Sequence, residues 1–228
     1  MQTPKVLKVL IACESSGTVR DAFRRLGHVA MSCDILPTDV PGPHHQGDVL
    51  DILDQGWDLM IAHPPCTYLS QSGTQWYYHP EDKHLPIDQR RPHPRYPNRE
   101  SDRQNAIEFV IKLYESSVPR IAIENPIGSL STAWRKPNQI VQPWMFGDEA
   151  NKGTCLWLKN LPLLTPTDIV GKGEFFEFTD KNGKLKRQPM WYYKALSQAK
   201  TPAERRTLRS KTFQGMAKAI ANQWSKVL

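Results

Sequence analysis

The chain has 228 residues, 39% of them hydrophobic and 23% charged, which is enough to bury one core with a small appendage and is ordinary for a globular fold. A formal net charge of +7 and a pI near 9.2 point to an anionic partner, nucleic acid first. No apolar run approaches the ~18 residues of a membrane span. The four cysteines are scattered with no CxxC pair, which argues against a disulfide framework or zinc ribbon; the expected setting is a reducing cytoplasm, with no membrane partner.

In chain order, KVLKVLIA (5–12) reads as a first strand, too short and too broken by Lys8 to be a signal segment. GTVRDAFRRLG (17–27) puts Val19, Ala22, Phe23 and Leu26 on one helical face and stops at a glycine. HVAMSCD (28–34) is a second strand ending in an acid. GDVLDIL (47–53) leads into the apolar strand WDLMIA (57–62), which halts at Pro64 and Pro65 because neither has an N–H for the ladder. Cys66 is thereby expected just past a strand's carboxyl end, where open α/β sheets bind ligands. From Thr67 to Arg103 the periodicity vanishes and five prolines follow His79, which predicts either a functional lid or a disordered segment; a mobile active-site loop is favoured because it directly follows Cys66. SDRQNAIEFVIKLYESS (101–117) reads as a helix capped by Ser101, and PRIAIEN (119–125) as a buried strand.

After Gly147, TCLWLK (154–159) reads as a strand and residues 173–193 as a hairpin turning at Asn182-Gly183. Two helical pieces follow, 201–211 and 212–228. Strands alternating with helices predict an α/β fold: a mainly parallel sheet flanked by helices, formed by 1–160 with 200–228, and a small basic appendage at 161–199. Between Lys184 and Lys211 nine Lys/Arg face one acid, Glu204, a one-signed stretch suited to phosphate. Arg205, Arg206, Arg209 and Lys211 form either a phosphate track or a solvated helix face.

Three clusters carry chemistry. Cys66 follows a backbone fixed by two prolines, as a nucleophile requires, although a lone cysteine at a strand end is also a common small core residue. Glu124 ends a strongly apolar strand and is followed by Asn125 and Pro126; it is either buried with a raised pKa or an edge residue. ACESSGTVRDAFRRLGH is a strand, a small polar turn and a helix, a cradle for a charged small molecule. Asp34 stands where an acid meets a ribose in nucleotide folds, and Asp48 is a further acid downstream.

This order resembles that of the S-adenosylmethionine-dependent DNA cytosine-5 methyltransferases, especially compact forms encoded by phages and prophages. The resemblance rests on ACESSGTVRDAFRRLGH, SCDI, GDV, HPPCTYLS, IENP and TFQGMAKAIANQW, and spans most of the chain. It implies a Rossmann-like methyltransferase fold, S-adenosylmethionine as cofactor, double-stranded DNA as partner and no metal. Cys66 would add to C6 of cytosine; Glu124, beside Asn125, would hold N3 and the exocyclic amine; and the base would be flipped out of the duplex. The turn Cys13, Glu14, Ser15, Ser16 and Gly17 would take the amino-acid end of the cofactor, Asp34 with Ile35 the ribose, and Asp48 with Val49 the adenine, with Pro64 against the cofactor. Pro65 and Ser70 would shape the base pocket. Lys152, Lys184, Lys186, Arg187 and Arg209 would contact the nucleic acid.

The chain departs from the family pattern in its first turn, at Thr67 and at Pro126. It has no clear Gln-x-Arg-x-Arg motif, in whose place Lys152 stands. Three other classes compete. An amino-methyltransferase needs an aromatic after Pro-Pro, where this chain has Cys66, with Tyr68 nearby. A metal enzyme would use His44, His45, His63, His79, His84 or His93, whose spacing matches no common site. A non-catalytic nucleic-acid-binding module of the same fold would keep the basic stretch without the chemistry.

Overall fold

The computed structural model describes residues 5–226, without the side chains of Pro202, Ala203 and Arg206; the expectations for Arg206 and for both chain ends lie outside it. Strands β1 (Lys8–Ala12), β2 (Val29–Asp34), β3 (His44–Gln46), β4 (Leu59–Ala62), β5 (Ile121–Pro126), β6 (Gln139–Val141) and β7 (Thr154–Lys159) form one sheet in the order β3-β2-β1-β4-β5-β7-β6. All neighbours are parallel through β5, and β7 runs antiparallel to both β5 and β6. The helices are α1 (Thr18–Arg25), α2 (Arg99–Glu115), α3 (Leu130–Ala133), α4 (Met190–Gln198), α5 (Pro202–Ser210) and α6 (Gln214–Trp224).

The period of two along each strand divides the apolar residues between two cores. Val9, Ile11, Leu59, Ile61 and Ala122 pack with Val19, Ala22 and Phe23 of α1 and Ala217, Ile220, Ala221 and Trp224 of α6. Leu10, Ala12, Met60, Ala62, Ile121 and Ile123 pack on the other face with Ile107, Val110 and Leu113 of α2. Burial on both faces is why these strands read as unbroken apolar runs. Each fully buried aliphatic side chain contributes about 1.5–3 kcal/mol. The α/β architecture with a mostly parallel sheet and flanking helices agrees with the sequence expectation.

The appendage is a separate hairpin, β8 (Phe175–Thr179) with β9 (Leu185–Pro189). Its turn is built as expected at Asn182-Gly183: Gly183 has φ 75°, and the Asp180 carboxylate accepts from the backbone N–H groups of Asn182 and Lys184.

Several local expectations need correction. Leu26 caps the C-terminus of α1 and is 42% exposed instead of sharing its buried face. The cap position of α2 is Asn98, not Ser101, whose hydroxyl donates to the Asn98 carbonyl inside the first turn. The hairpin ends at Pro189, and the aromatic run after it is helical: Tyr193 stacks on Phe176 with centroids 3.8 Å apart, and the Trp191 indole donates to the Asn151 carbonyl. β3, β6 and α3 have three or four residues each, too few to leave a period.

The segment after Thr67, where the sequence shows no periodicity, contains 3-10 turns at Gln71–Trp76, Pro80–His84 and Ile87–Gln89. The Asp82 carboxylate accepts from the Arg91 side chain and backbone, and Trp76, His93 and Tyr96 pack edge to face.

Candidate active site

The parallel strands all open their carboxyl ends on one edge. The chain departs from β1 to β2 on one side and to β4 on the other, and at this switch point lies a cleft of about 1760 Å³. A pocket for one small molecule is typically ~300–1,000 Å³, so the cleft is larger than one such pocket.

At one end of the cleft lies the turn after β1. Cys13 takes φ 58° and Gly17 φ 69°, and a Cβ at Gly17 would sit 2.5 Å from the Arg20 guanidinium. Glu14 is buried, and both of its carboxylate oxygens are used: Oε1 accepts from Val19 N (2.8 Å) and Ser16 Oγ, Oε2 from Arg20 N (3.2 Å). Glu14 therefore holds the first turn of α1, where a carboxylate suits the helix dipole, and offers the cleft backbone instead of a free charge. Burial and the acids Asp34 and Asp48 push the Cys13 thiol far above its ordinary value. Asp34, Ile35, Asp48 and Val49 line the same end. Asp34 spends Oδ1 on Leu36 N and Asp48 spends Oδ1 on Leu50 N, leaving each a second oxygen with no protein hydrogen bond among the described residues.

The β4/β5 register sets the other end. It pairs Ala62 with Ile123, and continuing it past the strand ends brings His63 to Glu124 and Pro64 to Asn125. His63 Nδ1 lies 3.1 Å from Glu124 Oε2, and Asn125 Nδ2 donates to the Pro64 carbonyl at 2.8 Å. The Cys66 carbonyl accepts from Leu69 N and Ser70 N, closing a turn that leaves Cys66 exposed to the cleft. Gly128 packs against this turn: Ser129 N donates to Leu69 O and Gln71 N to Ile127 O. Arg99, buried at the start of α2, donates to the Thr67 carbonyl (2.8 Å) with its guanidinium 5.2 Å from the Tyr68 ring and 5.4 Å from Tyr77.

Because β7 is reversed, Lys152 just before it enters the cleft, and its Nζ donates to the Arg209 carbonyl at 3.3 Å. Arg209 lies 4.9 Å from the Tyr192 ring, and Lys211 pairs with Asp39 at 3.1 Å, bridging the tail to the loop after β2. Burial and the Glu124 charge raise the Cys66 thiol; Lys152 and Arg209 oppose them without reversing the sign. For Glu124, burial acts to raise the pKa, but the His63 hydrogen bond and the charges of Lys152 and His63 outweigh it, leaving the carboxyl below its ordinary value. The residue is buried, as the first alternative had it, but the net direction of its shift is downward and not upward.

The structure brings Cys66, Glu124, Asn125, Pro64, Pro65, Ser70, Lys152 and Arg209 to the cleft together with the turn residues Cys13 to Ser16 and with Asp34, Ile35, Asp48 and Val49. Gly17 is the cap of α1 behind them. Lys184, Lys186 and Arg187 are exposed on the β8–β9 hairpin and are not among the cleft-lining residues. His63, Arg99 and Gly128 hold the segment around Cys66 and Glu124 in place; sequence reading gave Arg99 and Gly128 no role, and His63 only as a candidate metal ligand and as the residue in front of Pro-Pro.

Among the described residues no group of three or more His, Cys, Asp and Glu could hold a metal ion, and no helix is long and apolar enough to cross a membrane. The sequence matches no protein-family model and no curated protein.

Proposed function

We propose that the chain is a DNA cytosine-5 methyltransferase using S-adenosylmethionine. The observation that carries this reading is the placement of Cys66, in the turn beyond β4, and Glu124, in the carboxyl half of the adjacent parallel strand β5, opening into one cleft with the turn after β1 and the two half-free carboxylates. Asp34 and Asp48 each retain an oxygen for a ligand hydroxyl or amine, and Ile35, 75% exposed, offers an apolar surface beside them, so these residues fit the cofactor. Glu14 fits only through the turn it braces. When bound, the cofactor supplies an electrophilic methyl group on a sulfonium sulfur.

The protein's residues supply the rest. Cys66 as thiolate forms a bond to C6 of a cytosine held in the cleft, and Glu124 faces N3 and the exocyclic amine, so that electron density builds at C5. Loss of the C5 proton after transfer lets the Cys66–C6 bond break. Asn125 holds the Pro64 carbonyl, and Arg99 the Thr67 carbonyl, so the segment carrying Cys66 is fixed from both sides. Lys152 and Arg209 provide positive charge at the cleft for a phosphate backbone. The amino-methyltransferase reading is weaker, because Tyr68, its nearest aromatic, already has its ring against Arg99.

The test is covalent trapping. With S-adenosylmethionine and DNA containing 5-fluorocytosine, the wild type should give a cofactor-dependent adduct stable on a denaturing gel, and Cys66→Ala none. No adduct across a varied set of DNA sequences sinks the proposal.

A further inference from the structure

His63 has no part in the chemistry above, yet it is the closest partner of Glu124. Both side chains are about nine-tenths buried, at 10% and 11% exposure, and meet at 3.1 Å through Nδ1 and Oε2. His63 Nε2 is buried with no hydrogen-bond partner among the described residues, so the contact with Glu124 is the one hydrogen bond its ring makes there. The remaining oxygen of Glu124, Oε1, has no protein hydrogen bond among the described residues, and the residue lines the cleft. The groups facing Glu124 are His63 after β4, Cys66 in the turn beyond it, Lys152 before β7 and Cys155 on β7.

We infer that His63 is the proton store of Glu124: the pair enters the reaction as imidazolium and carboxylate, and passes one proton from Nδ1 through Glu124 to the acceptor base. The inference rests on the cytosine reading. A Glu124 whose Oε2 accepts from His63 Nδ1 at 3.1 Å has no proton of its own to give to N3, while addition of Cys66 to C6 drives an electron pair onto N3 that needs one. A buried pair holding one mobile proton is net neutral whether that proton sits on Nδ1 or on Oε2, so moving it between them creates no net buried charge.

The step balances. The Cys66 thiol proton leaves to cleft water, the S–C6 bond forms, and the C5=C6 pair shifts through C4 to N3. N3 takes the proton from Glu124, which is refilled by Nδ1, leaving neutral His63 with its proton on Nε2. When C5 loses its proton to water and the S–C6 bond breaks, N3 returns its proton to the pair. His63 never touches the base and is a positioning residue.

The experiment measures the single-turnover rate of adduct formation on 5-fluorocytosine DNA against pH for the wild type and His63→Gln. Glutamine keeps a donor for Glu124 but holds no mobile proton. The expected result is a bell-shaped wild-type profile and, for His63→Gln at neutral pH, a rate lower by about 100-fold, at the low end of the range for a positioned proton donor, with the optimum displaced to acid pH, where Glu124 itself protonates. A His63→Gln variant with wild-type rate and profile overturns the inference. If that variant does not fold, nitrogen NMR of histidine-labelled wild type decides: His63 protonated on both nitrogens at the pH of maximal rate supports the store, and a bare Nε2 there overturns it. A wild type that forms no adduct at any pH refutes the cytosine reading instead.

Discussion

Gly128 offers the sharpest mechanical test of how the site is held. A Cβ built there would lie 1.8 Å from the Leu69 carbonyl oxygen, 2.8 Å from its carbon and 2.9 Å from the Ser70 Cα. All three are backbone atoms of the turn that follows Cys66, so no side chain can swing away. In Gly128→Ala the two loops must part by more than an ångström to reach ordinary contact. That separation removes the bonds from Ser129 N to Leu69 O (2.8 Å) and from Gln71 N to Ile127 O (3.0 Å). Two such bonds are worth about 1 kcal/mol each, and overpacking adds about 1–3 kcal/mol. The expected loss is therefore about 3–5 kcal/mol, or roughly 6–20 °C in Tm at ~2–4 °C per kcal/mol for a chain of this size. Thermal unfolding by circular dichroism reads this directly. The same shift moves Cys66 relative to Glu124, and misplacement on that scale costs on the order of 100-fold in adduct formation. A Gly128→Ala protein within about 0.5 kcal/mol of wild type, the range of an inconsequential surface change, would refute the account of two loops locked through backbone.

Asn125→Ala, which frees the Pro64 carbonyl, is expected to cost about 1–3 kcal/mol in denaturant unfolding and to slow trapping even when the protein is fully folded. Arg99→Lys keeps the charge but loses the guanidinium's contacts with the Tyr68 and Tyr77 rings, so it should lower the trapping rate more than it lowers Tm. Glu124 is held below its ordinary value of 4.5; its ionised form therefore adds stability that is complete above that pH and is lost as pH falls through the lower folded value. The stability gap between wild type and Glu124→Gln should accordingly be flat at neutral pH and close in acid, as read from urea midpoints; a gap that closes on raising the pH instead would mean a raised pKa. The Cys66 thiol titrates above its ordinary value, raised by burial and Glu124 and lowered by Lys152, so the pH midpoint of its alkylation should fall in Glu124→Gln and rise in Lys152→Ala.

What the sequence reveals and what it hides divide along range. The four buried strands β1, β4, β5 and β7 are legible because burial on both faces demands an apolar run, and such runs are local. α1 and α6 are legible because one face repeats every three to four residues. β6 and α4 are hidden for different reasons. Three residues at a sheet edge carry no period, and Met190 to Tyr193 has strand-like composition that packing against Phe176 and Asn151 overrides. The segment from Thr67 to Asn98 looks structureless because its order comes from aromatic and arginine contacts instead of periodic burial.

The site follows the same division. Cys66, Glu124 and Asp34 can be picked out singly, since each lies in or just after a legible strand, and Asp48 only as an acid further along the chain. Their couplings cannot, because those depend on which strands are neighbours and in what register. Once β4 lies parallel to β5 with Ala62 opposite Ile123, one offset of 61 residues fixes both His63 against Glu124 and Pro64 against Asn125. The histidine in front of Pro-Pro and the asparagine after the glutamate are thus two rungs continuing one ladder, the first tying the acid and the second the loop that presents the nucleophile. A one-residue slip of β4 would turn both side chains to the opposite face and break the two contacts together. That shared dependence is why a site with two hydrogen bonds at its centre needs the apolar strands beneath it to be so completely buried: the register is set by Met60, Ile61, Ala62, Ile121, Ala122 and Ile123, none of which lines the cleft.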